Sequence, residues 1–105
     1  MYCVILVTTA SIDEAEKISK HLLAEKLIAC ANIVKDINSL FWWKGNIDHA
    51  CEVMLVMKTK QDLVPKVVSA VKILHSYEVP EVIALPIIDG NEDYFQWIDE
   101  SVVAE

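Results

Sequence analysis

Three stretches of this chain, Cys3 to Val7, Val53 to Met57 and Val82 to Ile88, are apolar at consecutive positions. A strand with one wet face alternates apolar and polar residues, so unbroken runs of this kind describe strands that are dry on both faces. None approaches the roughly 20 residues that a membrane-spanning helix needs, and the last contains Pro86. A chain of 105 residues holds one domain (1–105), because either half would be too small to exclude water from a core. With 54% hydrophobic residues and a mean hydropathy of +0.35, it carries more apolar surface than a domain of this size buries alone.

Between the runs the pattern becomes helical. Ser11 caps a helix beginning near Ile12, with Glu14 as its capping-box partner. Ile12, Ala15, Ile18, Leu22 and Leu23 form its apolar stripe. From Cys30 to Trp43 the chain reads as extended, with Ile33, Ile37, Phe41 and Trp43 on one parity. Lys44-Gly45-Asn46 reverses it tightly, and Ile47 to Thr59 returns as the second arm of a long hairpin. Thr59 and Asp62 are placed to open a second helix with the stripe Leu63, Val64, Val67, Val68, Val71 and Leu74, ending near His75. Val82 to Ile88 forms the fourth strand, and Asp89-Gly90-Asn91 turns into a third helix carrying Tyr94, Phe95, Trp97, Ile98 and Val102.

The order β-α-β-β-α-β-α predicts an α+β fold of the ferredoxin-like split βαβ type, with an antiparallel sheet and the main helices on one face. The first and third strands lie centrally, and Pro86 suits the fourth as an edge strand. Since the helices shield only one of two greasy faces, the bare face calls for another subunit.

Composition excludes several functions. The net charge is −7 and the nine basic side chains are all lysine, so the planar fork that reads bases and grips phosphates is absent and nucleic acid is not the expected partner. Cys3, Cys30 and Cys51 fit neither a disulfide framework nor a C-x-x-C motif, which points to reduced thiols. The apolar N-terminal run has no basic segment before it and reads as a strand, so a cytoplasmic location is expected. No glycine-rich phosphate loop and no nucleophile–base pair is present, and an N-terminal proline amine is ruled out by Met1-Tyr2, so the chain is not expected to be an enzyme.

Several residues carry chemistry with two readings each. His49 and Cys51 share a strand face, which suits a soft metal and equally ordinary alternation. His75, at the end of the second helix, is either a cap whose protonated form the helix dipole favours or a metal ligand. Trp42 and Trp43, on opposite faces near the hairpin tip, suit a subunit interface or a ligand wall. Glu52, Lys58, Glu78 and Glu81 form either a polar set at a subunit cleft, able to hold a polar ligand or a hard ion, or plain surface charge.

Ala29-Cys30-Ala31-Asn32-Ile33, Trp42-Trp43-Lys44-Gly45, Lys58-Thr59, His75-Ser76-Tyr77-Glu78-Val79-Pro80-Glu81 and Leu85-Pro86 together give a close resemblance to the CutA family, named for divalent-cation tolerance. It extends over nearly the whole chain. The resemblance implies a homotrimer whose long hairpins wrap neighbouring subunits, a cytoplasmic location, and a non-enzymatic part in tolerance of copper or another divalent metal. Taken with the residue readings above, it makes His75, Glu78 and Glu81 the candidate metal ligands, and Trp42, Trp43, Glu52, Lys58 and Tyr77 the interface or cleft positions. The cysteine and paired histidines proposed as ligands in some members correspond here to Thr8, Leu74 and His75, so one of the three remains. The trimer is also similar in architecture to the PII signalling proteins, which implies an alternative role as a small-effector sensor or scaffold with ligand clefts between subunits.

Overall fold

In the computed structural model, which describes residues 1–104, four strands build one antiparallel sheet in the order β2-β3-β1-β4. The strands are β1 (Tyr2–Thr9), β2 (Cys30–Trp43), β3 (Asn46–Lys60) and β4 (Val82–Pro86), and the helices are α1 (Ile12–Ala24), α2 (Val64–Leu74) and α3 (Glu92–Ser101). The element order, the central positions of β1 and β3 and the edge position of β4 are those predicted from the sequence.

The alternation of each strand sorts its side chains. Cys3, Ile5 and Val7 of β1 and Val53, Leu55 and Met57 of β3 point at α1 and α2 and meet Ala15, Ile18, Leu22, Val67 and Val71 in the main core. Ile12 and Leu23, counted in the stripe of α1, stand 39% and 40% exposed at its margins. A second cluster lies at one end of the sheet, where Phe95 and Ile98 of α3 pack on Ala29 and Leu63. Gly90 lets α3 dock, because a Cβ there would come within 2.8 Å of the Phe95 ring.

Across the sheet from α1 and α2, Val4 and Leu6 lie in register with Leu85 and Ile83 on one side and with Lys58 and Val56 on the other. Val34 opposite Met54 extends this row. Ile83 and Leu85 are 49% and 46% exposed, so the face the helices leave bare is apolar, as the uninterrupted runs require.

Four local expectations are corrected. Ile33 does not share a face with Ile37, Phe41 and Trp43, because a bulge between Val34 and Ile37, with Asp36 in the left-handed region, inserts a residue and inverts the parity. Thr59 does not open α2: its hydroxyl is buried and donates to the Leu27 carbonyl at 2.7 Å, and a 3₁₀ turn over Gln61–Leu63 leads into the helix instead. Asp62 makes no cap for α2, whose start is set by Pro65 in its first turn. The fourth strand stops at Pro86; one further backbone bond, from the Ile87 amide to the Tyr2 carbonyl at 3.0 Å, follows it, and Ile88 is 95% exposed. The hairpin reversal does fall at Lys44 and Gly45, both at positive φ.

Candidate functional site

The chain between α2 and β4 is fastened at its start by a set of hydrogen bonds. His75 caps α2 and is buried; its Nε2 lies 2.7 Å from the Thr8 carbonyl and its Nδ1 3.0 Å from the Tyr77 amide. A carbonyl only accepts and an amide only donates, so the geometry makes Nε2 the donor and Nδ1 the acceptor.

Glu14 ties the same segment to α1. Ser11 accepts from the Glu14 amide at 3.1 Å, as the capping pattern predicts, but the Glu14 carboxylate reaches one residue further back than a capping box, to the Ala10 amide at 2.9 Å. Its other oxygen accepts from the Ser76 amide at 2.7 Å. Burial pushes this carboxyl up, but the donors from Ala10 and Ser76 outweigh it and hold Glu14 below its ordinary 4.5.

Tyr77 then crosses to β3. Its hydroxyl donates to Glu52 Oε2 at 2.7 Å, and its ring sits 4.6 Å from that of His75. Glu52 is only 7% exposed, on the part of β3 that runs past the end of β1. Burial first, and the Glu52 carboxylate second, push the Tyr77 phenol far above its ordinary 10.0.

Beside this network the hairpin and the 77–81 segment enclose a groove of about 790 Å³. Phe41, Trp42 and Trp43 line it from β2, Asp48 and Glu52 from β3, and Tyr77, Glu78 and Glu81 from the loop. Of the residues singled out in the sequence, Trp42, Trp43, Glu52, Tyr77, Glu78 and Glu81 therefore meet at one place. Lys58 does not: it is six residues along β3 from Glu52, roughly 20 Å away, and donates to Asn32 Oδ1 on the bare sheet face. His75 lies behind the groove wall, fixing Tyr77, and His49 lines the groove while Cys51 does not.

Two participants were missed in the sequence. Asp48 stands opposite Phe41 in the hairpin register, which its place in the returning arm hinted at. The reach of Glu14 to Ser76 carries no sequence signal, because it spans 62 residues.

For a metal ion the donor chemistry is restrictive. With Nε2 protonated and Nδ1 accepting from Tyr77, His75 has no free lone pair, and Thr8 offers no thiolate. Among the described residues no group of three or more His, Cys, Asp or Glu is placed to hold a metal. Glu78 and Glu81 are exposed on the groove rim, so what the groove offers is carboxylate, suited to hard cations.

Comparison with known proteins gives a consistent result. The family model described as CutA1 divalent ion tolerance protein matches residues 3–101. The divalent-cation tolerance protein CutA of Archaeoglobus fulgidus is 43% identical over 102 residues, covering 97% of this chain and 99% of the relative. The solved structure of the divalent cation tolerance protein Cut A1 from Thermus thermophilus superposes with a TM-score of 0.96 at 41% identity, covering 98% of this chain and 100% of that one. That of the Archaeoglobus fulgidus protein, described as periplasmic, gives 0.95 at 43% identity over 98% and 100%. Among the described residues no helix is long and apolar enough to cross a membrane.

Proposed function

We propose, since the chain belongs to the CutA1 divalent ion tolerance family, that it acts in divalent-cation tolerance as a non-enzymatic cytoplasmic homotrimer whose cation contacts lie at the subunit boundary. The observation that carries this reading is the groove itself. It is rimmed by the exposed carboxylates of Glu78 and Glu81, yet among the described residues of one chain no three donors converge. A second copy seated on the bare sheet face is the natural source of the missing donors, and the apolar row from Val34 through Leu6 to Leu85 supplies the reason for it to sit there.

Copper, the metal named by the resemblance, is bound tightly by several nitrogen and sulfur donors, and the groove sets one imidazole, His49, among carboxylate oxygens. Copper affinity is accordingly modest, and a hard ion such as manganese competes on better terms. Calorimetric titration of copper and of manganese into wild type, His75→Ala and the Glu78→Gln, Glu81→Gln double variant tests this. The double variant loses binding, while His75→Ala weakens it only through the loop. Equal isotherms for wild type and the double variant would sink the reading.

The second reading, an effector-binding sensor of PII-like architecture, is favoured by the volume of the groove and its aromatic wall.

A further inference from the structure

We propose that the groove between the hairpin and the 77–81 segment is a binding site for linear aliphatic polyamines. The inference deepens the reading of this groove as a ligand cleft, and does not depend on its binding metal.

Charge is the first consideration. Asp48, Glu52, Glu78 and Glu81 line the groove, and none of the nine lysines of the chain does. Glu52 is the telling member. It is more than nine-tenths buried, its Oε2 is held by Tyr77, and among the described residues no donor reaches its Oε1. Among the described residues no buried side-chain oxygen is left without a partner, so this second oxygen opens onto the groove, where a bound cation can reach it.

The walls decide which kind of cation. Phe41, Trp42, Trp43 and Val79 give the groove aromatic and aliphatic surface, which a hydrated metal ion cannot use and a methylene chain can. Indole faces also attract ammonium groups, and the chain itself supplies an example: Lys44 Nζ lies 5.8 Å from the centroid of a Trp43 ring. Spacing then favours more than one charge on the ligand. Glu52 and Asp48 point to the same face of β3 four residues apart, roughly 14 Å along the strand, with Phe41 paired to Asp48. A flexible chain with an ammonium at each end meets both carboxylates and lays its methylenes along the aromatic wall.

The test is calorimetric titration of spermidine into the full chain in its assembled state, with a chelator present so that no metal takes part. Three proteins are compared: wild type, the Asp48→Asn, Glu52→Gln groove variant, and an Asp13→Asn, Glu100→Gln control of the same net charge altered on exposed positions of α1 and α3. Wild type and control bind spermidine saturably, and the groove variant binds about tenfold more weakly or worse. Absence of saturable binding to wild type, or equal weakening in groove variant and control, overturns the proposal, the latter by reducing the effect to diffuse attraction. Should circular dichroism show the groove variant unfolded, Phe41→Ala removes the wall and keeps every carboxylate; unchanged affinity there overturns it as well. Retained manganese binding in a protein that ignores spermidine would defeat this inference alone and leave the metal reading standing.

Discussion

Replacing Tyr77 by Phe isolates the bond that joins the 77–81 segment to the hairpin. The substitution keeps the ring and its 4.6 Å contact with His75 and removes only the hydroxyl that donates to Glu52 at 2.7 Å. Glu52 is 7% exposed and has no other donor among the described residues, so its carboxylate loses its one internal partner. A hydrogen bond to a charged group of this kind is worth about 1.5 to 3 kcal/mol. At about 4 °C per kcal/mol for a domain near this size, Tm falls by about 6 to 12 °C. Scanning calorimetry at one fixed protein concentration measures it, since Tm of an assembly varies with concentration. The pH dependence supplies the sign. The phenol titrates higher in the folded state than its ordinary 10.0, so its contribution is fully present below pH 10 and is lost as pH rises toward the folded value. Wild type and Tyr77→Phe therefore differ most near neutrality and converge in strong alkali. A Tm change under about 2 °C at pH 7, or a gap that stays constant through the alkaline range, would refute the assignment of this bond as the anchor.

Other perturbations follow from the same contacts. Glu14→Gln presents an amide donor to one of the two backbone amides that the carboxylate now accepts from, so it destabilises at pH 7. Because Glu14 titrates below 4.5, wild type holds this stability above that pH and loses it as pH falls, and acid denaturation curves of the two proteins converge at low pH. Gly90→Ala puts a methyl 2.8 Å from Phe95 and forces that ring off its 4.6 Å stack with Tyr2, at a cost of about 1 to 3 kcal/mol read by denaturant unfolding. Ile18→Ala, at a fully buried core position, costs about 2 to 5 kcal/mol in the same assay and leaves groove ligand affinity unchanged.

The architecture was legible because it is written in local periodicity. The apolar runs of β1, β3 and β4 and the stripes of α1 and α2 each declare their own element, and connection rules leave few ways to assemble them. Ser11 and Asn91 were readable as caps for the same reason: each accepts from an amide two or three residues on. What escaped was decided at longer range. The bulge at Asp36 moves Ile33 to the other face of β2, and nothing near it in sequence marks the inserted residue. Thr59 has the chemistry of a cap, but its partner is Leu27, 32 residues away. At the site, Trp42, Trp43, Glu52 and Tyr77 were read as cleft or interface positions and Glu78 and Glu81 as metal candidates, and the fold sets all six along one groove. That Lys58 lies elsewhere and that Asp48 and Glu14 take part depends on strand register and on the docking of α1 against the end of α2. His75 shows the limit most clearly, since a histidine at a helix end reads as cap or as ligand until both of its ring nitrogens are seen to be engaged.

On the proposed reading, further copies of the chain cover the bare apolar face of the sheet and complete the groove at their boundary. Sedimentation equilibrium of the wild-type protein tests it most directly. The expected result is a single species of three times the 11.8 kDa chain mass that persists on dilution to nanomolar concentration. A folded monomer of 11.8 kDa at micromolar concentration would contradict it.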